Sequence, residues 1–123
     1  MELKEVKELA ETLRQDYERE AKSLGRALYE IVEVLWPLRE LAPGFDLTRY
    51  ESGYCLSTSS TTYVHITREG RMTTHWGLAT PSDAARAWDH IRRWIEKIEE
   101  TIPVFSEVRR RIASELRELL ARM

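Results

Sequence analysis

The sequence predicts an α+β fold: a long, kinked N-terminal helix, a three-stranded antiparallel β-meander, and two C-terminal helices packed on one sheet face. Three observations predict it. Apolar residues recur every three or four positions over residues 2–42 and again over 81–122, the period of an amphipathic helix. Residues 53–77 instead alternate apolar and polar, the period of a strand. Proline and glycine separate the blocks at Ala42, Pro43 and Gly44 and again at Gly77 to Pro81. A chain of 123 residues suits one domain, so 1–123 is read as a single unit with a helical arm at 1–42, the meander at 53–77 and the C-terminal helices at 81–122.

The arm carries Leu3, Val6, Ala10, Leu13, Tyr17, Leu24, Leu28, Ile31 and Leu35 along one stripe. Amphipathic helices normally bury such a stripe internally, so core is the default expectation for it. About 40 residues of straight helix would span about 60 Å, which argues for bending or for a partner. Gly25 weakens the interior, and Pro37 removes an N–H and clashes with the carbonyl of Glu33, so a kink or break is expected near Trp36.

The sheet is expected as strands at about 53–58, 62–68 and 71–77, with 45–52 an unassigned connector. Gly70 closes a three-residue hairpin loop, where a left-handed residue is needed. That loop pairs Ile66 with Met72 and His65 with Thr73; a second loop at 59–61 pairs Leu56 with Val64 and Tyr54 with Ile66. Both registers put Tyr54, Leu56, Val64, Ile66, Met72, Thr74 and Trp76 on a core face. Cys55, Ser57, Tyr63, His65, Thr67, Arg71, Thr73 and His75 fall on the other face.

Thr80, Pro81 and Asp83 form a strong helix start, with cap, first-turn proline and capping-box acid in order. Ala84, Trp88, Ile91, Ile95, Ile98 and Ile102 make a stripe, which Phe105, Val108, Ile112, Leu116 and Leu119 continue nearly in phase past Pro103. Because proline removes a hydrogen bond and strains the preceding turn, two helices, 81–101 and 104–122, are expected to meet there.

The bulk numbers exclude several classes. Net charge is −2, without the basic excess that nucleic acid or an anionic membrane favours. One cysteine cannot make a disulfide framework, no apolar run approaches a membrane span, and the first residues lack a signal-peptide pattern, so a cytoplasmic protein is expected. Fifteen arginines, four lysines and no asparagine are compatible with a thermophilic source and equally with nucleotide bias.

Candidate chemistry concentrates on the polar sheet face. Tyr63, His65, Arg71, Thr73 and His75 suit contact with a partner, and an open sheet edge can recruit another chain. Histidine also serves as acid, base or metal ligand, and Cys55 is a ligand type. No CxxC, HxxxH or HExxH spacing is present, so no metal set and no cofactor is expected, and a solvated Ser- and Thr-rich face is the plain alternative. Arg109, Arg110, Arg111 and Arg117 have the chemistry of phosphate contacts, yet successive helical residues fan out by about 100° and glutamates dilute them. Arg86 and His90 share a helix face without matching a catalytic pattern; Trp76, Trp88 and Trp94 are expected in the core and Trp36 at a helix junction, with interface anchoring as the alternative.

The expectation that emerges is a non-enzymatic protein-interaction or assembly domain working as a homo-oligomer, because the arm exposes more helix than a small sheet can cover. Two alternatives stay open: a nucleic-acid binder using the polar sheet face and the C-terminal arginines, and a small metal-binding or acid–base enzyme centred on His65 and His75.

Overall fold

The computed structural model describes residues 2–123. Helix α1 spans Leu3–Leu35, and a 3-10 helix continues it over Trp36–Leu41. Five antiparallel strands follow: β1 (Leu47–Tyr50), β2 (Gly53–Ser57), β3 (Tyr63–Thr67), β4 (Met72–Thr74) and β5 (Gly77–Leu78). Helix α2 then runs from Pro81 to Arg122. The sheet is a plain meander in the order β1-β2-β3-β4-β5.

The expected break at Trp36 is present as the change from α to 3-10 geometry, with Pro37 in its first turn. Gly44, at φ +96°, then turns the chain toward the sheet. The expected three strands are five. The connector 45–52 forms β1, whose residues pair from Leu47 with Leu56 to Tyr50 with Gly53. The expected third strand divides into β4 and β5 because the chain turns at His75 and Trp76. The predicted register of the central strands is observed: Tyr54 opposes Ile66, Leu56 opposes Val64, His65 opposes Thr73 and Ile66 opposes Met72.

The tight turn at 75–76 also corrects the face of Trp76. It was expected in the core and is 91 % exposed. Trp88 is partly exposed, at 41 %, whereas Trp94 is fully buried. The core joins Tyr54, Leu56, Val64, Ile66 and Met72 from the sheet to Leu28 and Val32 of α1 and to Ala84, Ala87, Ile91, Trp94 and Ile98 of α2. Tyr54 is its polar corner. Its hydroxyl donates to the Glu33 carboxylate, and burial together with that negative neighbour pushes its pKa up to about 12.

The two expected C-terminal helices are one. Pro103 lies inside α2, and the residues around it are exposed on every side except Thr101 and Ser106. The carbonyl of Glu99 that loses its partner therefore lies in an exposed turn open to water, which keeps the cost of the proline local. Thr101 secures the turn before it by donating to the carbonyl of Lys97 at 2.9 Å and to that of Leu41 at 3.0 Å. At the other end of α2 the capping box is complete: Asp83 N–H donates to the Thr80 hydroxyl at 3.2 Å, and Thr80 N–H donates to the Asp83 carboxylate at 2.9 Å. Arg86 reinforces it by pairing with Asp83, which holds that carboxyl below the usual range mainly through the Thr80 N–H.

The docking of α1 on the sheet rests on a glycine pair. A Cβ on Gly25 would stand 1.9 Å from the carbonyl oxygen of Gly70, a backbone atom that cannot step aside. Gly25, read from sequence as a weak point of the helix, is thus its point of closest approach to the β3–β4 turn. Gly25→Ala is expected to lower stability by about 1–3 kcal/mol through overpacking, although helix propensity alone would raise it by about 1 kcal/mol. Urea denaturation of the two proteins distinguishes the signs.

Candidate functional site

On the polar sheet face, neighbouring strands set side chains into pairs. The rings of Tyr63 and His75 lie 4.2 Å apart at 51°. His65 stands opposite Cys55 on one side and Thr73 on the other. Its Nε2 lies 3.3 Å from the Ser52 hydroxyl, and its ring is 5.9 Å from that of Tyr50. Arg71 departs from this group and lines a groove of about 220 Å³ between α1 and the β3–β4 turn, with Glu18, Lys22 and Leu78 among its neighbours. That volume is below the usual range of about 300–1,000 Å³ for ligand pockets. Burial raises the Cys55 thiol pKa, which lowers its thiolate content and reactivity at neutral pH. Among the described residues, no three His, Cys, Asp or Glu side chains converge as a metal site.

Around Arg86 and His90 the charged side chains pair along the helix. Asp89 pairs with Arg92 at 3.5 Å, while Arg93 donates to the backbone carbonyl of Asp89. His90 turns inward, to 7 % exposure, and meets the ring of Phe45 edge-on at 5.5 Å. Its Nε2 and the indole nitrogen of Trp94, one turn on, are buried with no protein partner.

The most extensive exposed apolar surfaces lie on the helices. Every residue of α1 from Leu3 to Tyr17 is exposed, including Leu3, Val6, Leu9 and Leu13, which corrects the expectation that this stripe is core. Beyond Thr101 every residue of α2 except Ser106 is exposed, and Phe105, Ile112, Leu116, Leu119 and Leu120 are each more than half exposed. Two hydrogen bonds fix how these segments project. The Tyr17 hydroxyl donates to Ala79 O at 2.5 Å just before α2 starts, and Thr101 donates to Leu41 O as the 3-10 helix ends. The helices therefore run in the same direction with a stagger. The N-terminal segment of α1 projects from one end of the body and the C-terminal segment of α2 from the other.

Arg109, Arg110, Arg111 and Arg117 all lie on the projecting part of α2. They point around the helix, and Arg111 pairs with Glu115 at 4.0 Å. Length pointed in the sequence to an uncovered part of the arm, but the stripe of α2 beyond Pro103 was not anticipated as a site. The same signal applies there: a few short strands cannot cover 33 and 42 residues of helix. No described helix is long and apolar enough to cross a membrane. Comparison with protein-family models, with curated proteins and with solved structures finds no match.

The buried His90 has a readable pH signature. Burial, and then the Arg93 charge, lower its pKa below the usual histidine value of about 6.5, while Asp46 acts weakly the other way. A depressed histidine is neutral in the fold and takes up its proton more readily once unfolded. Its contribution is therefore intact above about pH 6.5 and is lost as the pH falls below that value toward the folded-state pKa. The slope is at most about 1.4 kcal/mol per pH unit. Urea unfolding at pH 7.5 and 5.5 is expected to show a smaller loss of stability on acidification in His90→Phe than in the native sequence.

Proposed function

We propose that this chain is a non-enzymatic assembly domain that associates through the projecting segments of α1 and α2. One observation carries the reading: both segments present apolar stripes that no other described residue covers. Exposed apolar residues are ordinary when scattered, but a stripe at helical spacing is a surface shaped for another helix. The polar sheet face supports this reading as secondary contact chemistry, since its histidines pair with tyrosine, serine and threonine rather than with one another. The body supplies the fixed platform that holds the two segments at opposite ends.

Sedimentation velocity over a concentration series is expected to show reversible self-association. The double variant Leu13→Asp, Leu116→Asp is expected to remain monomeric. Both positions are exposed, so its stability should stay within about 1 kcal/mol of the native sequence. A native chain that stays monomeric at every concentration would overturn the reading.

A further inference from the structure

We infer that the joint is heterologous: the projecting segment of α2 in one copy packs, parallel, against the projecting segment of α1 in the next copy. The inference rests on the assembly reading above and specifies its partner surface. Within the body, α1 and α2 run parallel and staggered, so each projecting segment lacks the helix that accompanies it elsewhere. A second copy shifted along the helix direction supplies that missing helix to both segments with one repeated contact. A single pairing of like segments would leave the other type uncovered, so covering both in that way needs two different contacts.

The spacing fits a two-helix seam. On α1, Leu3, Val6, Ala10, Leu13 and Tyr17 follow alternating steps of three and four; on α2, Phe105, Arg109, Ile112, Leu116 and Leu119 follow alternating steps of four and three. Setting Leu119 beside Leu13 also sets Leu116 beside Ala10 and Ile112 beside Val6. In a parallel pair, the residue flanking a seam position meets the residue five further along the other helix. That rule brings Leu9 to Leu120 and Glu115 to Arg14. The first pair gives a use to two exposed leucines that lie off their own seams. The second joins opposite charges, with Arg14 exchanging its intrahelical contacts to Glu11 and Glu18 and Glu115 its contact to Arg111.

Net charge argues against pairings of like segments. The α1 segment 3–17 carries three basic and four acidic residues, net −1, and the α2 segment 102–122 carries five basic and three acidic, net +2. Unlike segments attract weakly and like segments repel. Two α1 segments laid antiparallel bring Lys7 against Lys7 or Arg14. Two α2 segments laid parallel stack Arg109 on Arg109 in the seam, and laid antiparallel they set Glu115 against Glu115 or Val108. A heterologous joint of this kind repeats from copy to copy, giving rings or open chains rather than a closed pair.

Single variants of the full chain test this. Leu13→Asp disables every α1 segment and Leu116→Asp every α2 segment, and circular dichroism confirms that both variants are folded. Each is expected to sediment as a monomer alone, while an equimolar mixture forms a one-to-one dimer, because Leu13→Asp retains a working α2 segment and Leu116→Asp a working α1 segment. Dimers of Leu13→Asp alone would overturn the inference in favour of α2 pairing with α2. Dimers of Leu116→Asp alone would overturn it in favour of α1 pairing with α1. A mixture that stays monomeric while the native chain associates would overturn the joint but leave self-association standing. A monomeric native chain would remove the assembly reading itself.

Discussion

A helix lengthens by about 1.5 Å per residue, while a sheet widens by about 4.8 Å per strand. Those two rates govern this molecule. Five strands make a surface about 20 Å across, and strands of two to five residues make it no taller. Helices of 33 and 42 residues are about 50 and 63 Å long. The sheet can cover only the part of each helix that crosses it. The burial pattern follows this limit: on α1 the fully buried residues run from Gly25 to Val32, and on α2 from Ala84 to Ile98. What remains must project, and because the helices are parallel and staggered it projects at opposite ends.

How much of this the sequence disclosed depended on where a local rule had a single solution. The register of β2, β3 and β4 was readable because period-two alternation and the Gly70 turn independently put Leu56, Val64 and Ile66 on one face. Trp76 was misplaced because alternation was extended two residues beyond the last strand residue, Thr74, into a turn that carries the indole outward. β1 stayed unassigned because its four residues form an edge, where one face gives little apolar contrast. Pro103 misled for a different reason. Its penalty depends on whether the carbonyl it orphans is buried, and sequence does not show that the helix has already left the body there.

Among the candidate site residues, pairing across strands was legible and convergence was not. Tyr63 meets His75 and His65 meets Thr73 because strand register dictates neighbours. Arg71 sits at the turn, where register no longer controls direction, and lines the groove beside α1. His90 was placed by sequence only on a helix face shared with Arg86. The α2 face it occupies is the one closed by Phe45 and the loop before β1, a contact that no helical periodicity encodes.

The projecting segments also separate two tasks that an amphipathic helix usually combines. A short isolated helix, below about 15 residues, is marginal in water because nucleation is costly. Here each segment extends a helix already nucleated in the body, so only propagation is required. On α1, Arg14 between Glu11 and Glu18, and Arg19 with Asp16, favour the helix from its solvated side. On α2, the arginines, glutamates, alanines and leucines beyond Val108 are nearly all strong helix formers. Helicity therefore does not depend on the leucine stripes, whose removal by polar substitution should leave the fold standing. Their remaining role is recognition, presented on struts that are ordered before any partner arrives. That lowers the entropy cost of association, since the contacting backbone is already fixed.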